Sequence, residues 1–263
     1  MSAPVFVNPQ LAAATVGSVV AVTGAEARHA VTVQRRECGE RVDVVNGAGL
    51  RASGVIVSAA GDLMEIKVDA VSTDSDAPVT LVQALAKGGR DEQAVESAIE
   101  LGATGIVPWS AQRSIVQWRG PKADKGRAKW ESVVMAATKQ SRRALIAPVA
   151  NVMSTKELAS RIGQKVEAGT LVLVLHEDGD TALTDFTDVP LDRDVWLVVG
   201  PEGGIAPEER EAFEEAGART VVLGPHVLRA SSAGPAAMAA LAAVRGAWSR
   251  GSQADAGTTG GLR

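Results

Sequence analysis

The stretch VVGPEGGI (198–205) closes an apolar run with three glycines, a proline and a carboxylate, Glu202, and the acidic PEERE follows it. Glycines after a strand let backbone approach a ligand closely. A phosphate is the usual ligand, but Glu202 would repel one. The chain also has neither a Walker-type phosphate loop nor a GxGxxG after a strand. A carboxylate among exposed amides suits a cationic or hydrogen-bond-donating ligand; the alternative is a tight turn in which Glu202 only caps amides. Two further groups follow apolar runs: His176-Glu177-Asp178, and LGPHVLR (223–229). Arg229 stands out in the latter, because a guanidinium stays charged and matches paired oxygens. It is a candidate for stabilising developing negative charge, or else a structural partner for an acid such as Glu202. His29, His176 and His226 lie far apart without ligand spacing, so no metal site is expected.

Charge is uneven along the chain. The net charge is −4, yet residues 110–147 hold nine Lys and Arg against Asp124 and Glu131. Residues 176–218 invert this, with thirteen acids against Arg193 and Arg210. A concentrated basic stretch is the footprint of phosphate contacts even on an acidic protein; the alternative is a solvated helix face.

These residues need elements to position them. VVAVTG, RVDVVNG, ASGVIVSAA and LMEIKVDAV read as strands, with AEARHAVTVQRR as a helical or irregular insertion. They predict a small β-barrel or sandwich over residues 1–73, and the polar VSTDSDAP (71–78) reads as a linker. Beyond it, strands and helices alternate over residues 78–249. VTLVQAL, GIVPW, LVLVLHE, VWLVVG and TVVLG are continuous apolar runs, as expected of strands covered on both faces. DEQAVESAIELG, a long segment around 125–143, PEEREAFEEAG and the alanine-rich PAAMAALAAVRGAW read as helices. The fold class is therefore α/β with a mostly parallel sheet, its ligand beyond the C-terminal strand ends. The tail 250–263, RGSQADAGTTGGLR, is expected to be disordered.

Composition narrows the class. With 46% hydrophobic and 22% charged residues the chain is an ordinary globular protein, long enough for one large domain or two modest ones. No apolar window is long enough for a transmembrane helix, and MSAPVFVNPQ lacks the features of a signal peptide. Cys38 is the only cysteine, which fits a reducing cytoplasm.

VVGPEGG and LGPxxLR in this order, with HE at an earlier strand end, resemble the RsmE family of the SPOUT superfamily. AVESAIELGATGIVPWSAQRSIV resembles the family's first helix-strand-loop segment, and WESVVMAATKQSRR its QS-R helix, here Gln140, Ser141 and Arg143. The resemblance covers nearly the whole chain. It implies an S-adenosylmethionine-dependent enzyme that methylates N3 of one uridine in 16S ribosomal RNA. It further implies a PUA-like RNA-binding barrel at the N-terminus, a SPOUT domain with a trefoil knot, and a homodimer. The donor pocket would comprise His176, Glu177, Val199, Gly200, Pro201, Glu202, Gly203, Gly204, Leu223, Gly224, Pro225, Val227, Leu228 and Ser231. Ser231 and Ser232 depart from the family, which usually has Glu-Thr there.

Methylation of N3 removes a proton and spreads negative charge over the flanking carbonyls. Arg229 is the expected charge stabiliser; Glu202, a water or bulk solvent takes the proton. N3 lies on the Watson–Crick edge, so the target base must be unpaired or extruded. Without tyrosine, and with three Phe and five Trp, RNA binding should rest on phosphates. The candidates are Arg28, His29, Arg35 and Arg36 in the first domain, with Arg113, Lys139, Arg142 and Arg143 in the second. The final helix, including Met238 and Leu241, is the expected dimer face. Rival readings are a SPOUT enzyme with another RNA target and a non-catalytic ribosome-assembly factor.

Overall fold

A computed structural model describes residues 3–249; the expected disordered tail lies outside the described residues. The described chain divides into two compact units. One holds the residues up to Ser75 together with Thr138–Ile146, and the other holds Asp76–Ala137 and the residues from Ala147 onward.

The first unit contains β1 (Val5–Val7), β2 (Val19–Thr23), α1 (Gly24–Arg28), β3 (Arg41–Val45), β4 (Leu50–Ala60) and β5 (Leu63–Thr73), with one π turn at His29–Val33. The sheet order is β1-β3-β4-β5-β2; β1 runs parallel to β3 and the other pairs are antiparallel. Alternation sends Val20, Val22, Val42 and Val44 inward onto Phe6, Ile56, Met64 and Ile66. Gly54 marks a register shift where a Cβ would strike the Lys67 carbonyl. Side chains draw the outer strands together. The Asn8 amide donates to the Ala21 carbonyl at 2.9 Å, and the Val7 amide donates to Glu26 Oε1 at 3.0 Å.

Residues 138–146 pack in this first unit, although they lie within the stretch 78–249 of the chain. The reason is backbone pairing: Ile146 N donates to Gly47 O at 2.9 Å and Gly49 N to Ala144 O at 3.0 Å.

The second unit runs β6 (Val79–Ala84), α2 (Arg90–Glu100), β7 (Gly105–Ser110), α3 (Pro121–Gln140, whose last turn belongs to the first unit), β8 (Met153–Ser154), α4 (Thr155–Glu167), β9 (Leu171–Leu175), β10 (Thr181–Ala182), β11 (Val195–Val199), α5 (Pro207–Glu215), β12 (Arg219–Val222) and α6 (Ala230–Val244). The sheet order is β10-β12-β9-β11-β6-β7-β8, and every pair is parallel. On one face Val82, Val107, Trp109, Val174, Trp196 and Val198 pack with Leu158 and Ile162 of α4 and Phe213 of α5. Trp109 meets Phe213 edge-on at 5.1 Å between centroids. The other face carries α6, which packs on β6 and β11 and beside α2. A Cβ at Gly234 would sit 2.7 Å from Leu81, so glycine there lets α6 approach the sheet.

That packing corrects one expectation. Met238 and Leu241 are 3% and 1% exposed, so they belong to the chain's own core and offer no face to a second copy. Among the described residues, no helix is long and apolar enough to cross a membrane.

Candidate active site

Because all seven strands run the same way, β9, β11 and β12 deliver their C-terminal loops to one edge. A cavity of about 710 Å³ opens there, within the usual range for small-molecule sites. Its wall includes residues 175–177, 199–205 and 222–230, with Arg90, Arg113 and Ala233. Every donor-pocket candidate lines it except Ser231, which is 8% exposed and sits in the first turn of α6. Burial behind that turn keeps the Ser231 hydroxyl off the wall.

The first turn is built from its own backbone. Gly204 N donates to Pro201 O at 2.9 Å, and Gly204 has φ +74°, where glycine is favoured. A Cβ on Gly200 would lie 2.6 Å from Ile205 Cγ1; one on Gly203 would lie 3.1 Å from Arg113 Cβ. These two glycines therefore let the turn fold tightly on neighbouring protein, rather than only admitting a ligand. Arg113, a candidate for RNA, donates from Nη1 to Gly203 O at 3.1 Å and braces the turn.

Glu202 is held from across the cavity. Its Oε1 accepts from Lys87 N at 3.1 Å and from Arg90 Nη1 at 2.9 Å. Burial pushes its pKa up, but hydrogen bonds from its own amide, from Arg90 and from Lys87 outweigh that and leave it below the ordinary value. A carboxylate so stabilised is a poor proton acceptor; its geometry makes it a latch between residues 87–90 and the 201–204 turn. The latch corrects the structural alternative for Arg229, because Glu202 pairs with Arg90.

Arg229 is exposed at the cavity wall and makes no side-chain hydrogen bond or ion pair among the described residues. Its backbone is fixed: its carbonyl accepts from Ser232 N at 2.8 Å and Ala233 N at 2.9 Å, starting α6. The second turn beside it is open, with Val227 at 78% exposure. On the third strand end, His176 N donates to Val221 O at 3.0 Å, and its Nδ1 accepts from Asp178 N at 3.1 Å.

Sequence reasoning missed two supports. Arg90 and Lys87 sit after β6, and only the fold brings them to Glu202. Glu209 is 4% exposed and accepts from Gln112 N at 2.7 Å, Thr155 Oγ1 at 2.6 Å and Ala206 N at 3.1 Å. It fastens the start of α5, just past the first turn, to the loop after β7 and to α4. The signal was a carboxylate two positions after Pro207, at the positive end of the helix.

The remaining basic candidates lie in the first unit, and their charges are unequally committed. Lys139 Nζ pairs with Glu26 Oε2 at 2.8 Å, with both side chains less than a quarter exposed. Arg36 pairs with Glu40 at 2.7 Å, and His29 Nε2 lies 3.0 Å from the Gln34 amide nitrogen. Arg28 and Arg35 are exposed and make no side-chain bond among the described residues. Arg142 is exposed and Arg143 half-buried. Among the described residues, no group of three or more His, Cys, Asp or Glu is placed to hold a metal ion.

Comparison with known proteins agrees on one lineage. A model of the RNA methyltransferase domain matches residues 73–242. The chain is 42% identical over 238 residues to ribosomal RNA small subunit methyltransferase E of Mycobacterium tuberculosis, covering 88% of this chain and 89% of the relative. Identity to the Bacillus subtilis protein of the same name is 27% over 225 residues, covering 84% and 88%. Among solved structures, a ribosomal RNA small subunit methyltransferase E from Neisseria gonorrhoeae bound to S-adenosyl methionine superposes with TM-score 0.79 at 26% identity, covering 92% of this chain and 98% of that one. A putative methyltransferase from Legionella pneumophila, in complex with the same cofactor, superposes with TM-score 0.76 at 25% identity over the same shares of the two chains.

Proposed function

The chain belongs to the RNA methyltransferase domain family, within its ribosomal RNA small subunit methyltransferase E members, and from that premise we propose how it works. It is an S-adenosylmethionine-dependent methyltransferase of 16S ribosomal RNA. The acceptor we assign is N3 of an unpaired uridine. The observation that carries the chemistry is Arg229, which stands at the cavity wall and makes no side-chain bond among the described residues.

The cavity suits the donor. It is walled by residues 199–205 and 222–228, with Leu175, Val199, Ile205 and Val222 as apolar surface. These residues would hold S-adenosylmethionine, which supplies an electrophilic methyl group when bound. A cationic donor is compatible with Glu202, where a phosphate would be repelled. Glu202, latched to Arg90, keeps the first turn in place.

Arg229, whose backbone is pinned at the start of α6, would stabilise the charge on the uracil carbonyls as N3 loses its proton. The proton leaves to water, since Glu202 is stabilised as the carboxylate. The first unit is assigned as a PUA-like RNA-binding domain. Arg28, Arg35, Arg142 and Arg143 would be its phosphate contacts, while Lys139 and Arg36 hold its fold.

By family resemblance the second unit carries a trefoil knot and the active form is a homodimer in the cytoplasm. The dimer reading draws support from Val227 and Leu228, apolar and exposed beside the cavity. The test of the activity is mass spectrometry of small-subunit RNA from a deletion strain with and without this chain restored. A methylated uracil N3 that depends on the chain supports the reading; an unchanged RNA overturns it.

A further inference from the structure

The basic stretch of the second unit is only partly consumed by the fold. Arg113 braces Gly203, Lys129 pairs with Glu92 at 2.5 Å, and Arg127 lies 3.8 Å from Glu131. Arg119, Lys122 and Lys125 differ from these. Each is exposed and makes no side-chain hydrogen bond or ion pair among the described residues. The one carboxylate among them in sequence is Asp124.

Their placement works against the helix that carries them. Lys122 and Lys125 sit at the start of α3, whose N-terminus is its positive end. Other helices of the same unit put acids in that first turn: Asp91 and Glu92 in α2, Glu157 in α4, Glu208 and Glu209 in α5. Positions 122 and 125 share one face of the helix. Lys122 N donates to Arg119 O at 3.2 Å, which folds Arg119 in as the preceding turn.

The segment is also fastened beside the cavity. Along the loop after β7, Gln112 N donates to Glu209 Oε1 at 2.7 Å and Ser114 Oγ to Leu85 O at 2.8 Å. At its far end Trp118 lies against α3 at Gly126, where a Cβ would fall 2.3 Å from the ring. The buried Trp130 meets Trp118 edge-on at 5.1 Å between centroids. Glycine is a poor choice for a helix interior; here it provides the seat for Trp118. Arg113 lines the cavity, and six residues of at most about 3.6 Å each keep Arg119 within about 22 Å of it.

We propose that Arg119, Lys122 and Lys125 form a second RNA-phosphate surface, on the unit that holds the cavity, and that it grips the strand leading to the target uridine. This rests on the RNA-methyltransferase reading above and places contacts beside the chemistry, apart from those assigned to the first unit. A run of phosphates supplies what the site lacks, several negative charges in a row at a positive helix end. Phosphate contacts fix register, and an extruded base has to be presented to the methyl donor in one register.

The test uses the full chain with protein-free small-subunit ribosomal RNA and with assembled subunits. KM, kcat, salt dependence, donor affinity by calorimetry and melting temperature are measured on each preparation. Lys122→Glu with Lys125→Glu should melt at or above the wild-type temperature, because acids suit that helix end. Its KM for RNA should rise at least about tenfold, with donor affinity unchanged. Alanine at 119, 122 and 125 together should lower the log–log salt slope by about two units. Lys122→Arg with Lys125→Arg should keep the wild-type KM, since the contact needs charge. A glutamate variant with wild-type KM and salt slope, or one that melts well below wild type, overturns the proposal. So does a variant impaired only on assembled subunits, which would make the partner a protein. A wild-type chain that transfers no methyl to either substrate overturns the underlying reading instead.

Discussion

The cavity edge and the basic surface are built on opposite principles. At the cavity, two loops shape the wall with backbone, and side chains such as Glu202, Arg90 and Arg113 are consumed in holding them. On the first unit, side chains carry the proposed contacts, and the question for each is whether its charge is already spent. Lys139 and Arg36 are spent on Glu26 and Glu40; Arg28 and Arg35 are not. A glycine-rich turn therefore announces its place in sequence, whereas a count of basic residues overstates the surface available to RNA.

The largest effect should come from Arg229, which makes no side-chain bond among the described residues and stands at the cavity wall. Arg229→Ala is expected to lower single-turnover rate by about 10²–10³, as for loss of one preorganised donor. Arg229→Lys should recover only part, and donor affinity and melting temperature should hold. A stable Arg229→Ala enzyme with wild-type rate would erase the distinction between the regions.

Next is the turn itself. Gly200→Val places a side chain where Ile205 Cγ1 stands 2.6 Å from the ideal Cβ, so donor affinity should fall by at least about tenfold while far-UV circular dichroism stays native. Gly203→Ala needs Arg113 to shift by only a few tenths of an ångström from 3.1 Å and should cost less. Equal donor affinity in both variants and wild type would remove the turn from the site.

The latch should be visible in pH dependence. Glu202 has a lowered pKa in the folded chain against an ordinary 4.5. Its stabilising contribution is therefore complete above about 4.5 and is lost as pH falls through the lowered value. Donor affinity should weaken in that same acid window, and Glu202→Gln should be weaker already at neutral pH and flat across the window. A wild-type profile in Glu202→Gln would show that the latch is idle.

Smallest is the contrast within the basic surface. Arg28→Ala with Arg35→Ala should lower the log–log salt slope of RNA binding by up to about two units. Lys139→Ala should leave the slope nearly unchanged and lower the melting temperature, because it breaks a half-buried pair. The reverse pattern would mean that pairing does not decide which charges reach RNA.

The contrast also explains what was legible. Five apolar runs foretold the core of the parallel sheet, because strands buried on both faces need no alternation. The turns at 199–204 and 223–228 were legible because a parallel sheet must bring such ends to one edge. Helix α4 went unread, although Ser154 and Glu157 form a capping box that marks its start. The long helix was read past its end at Gln140, since nothing local marks Arg142 as left-handed. Long-range pairings were out of reach: Lys139 and Glu26 lie 113 positions apart, and Arg90 and Glu202 lie 112 apart. Such pairs exist only once the fold has formed, so the supports of a site stay hidden while its glycines do not.

The most direct measurement incubates the purified chain with methyl-labelled S-adenosylmethionine and small-subunit ribosomal RNA and locates the label by nuclease digestion and mass spectrometry, with Arg229→Ala in parallel. Expected is a single labelled nucleoside, N3-methyluridine, formed by wild type and strongly reduced in the variant. Label on a ribose, on another base, or on no nucleotide at all would contradict the assignment.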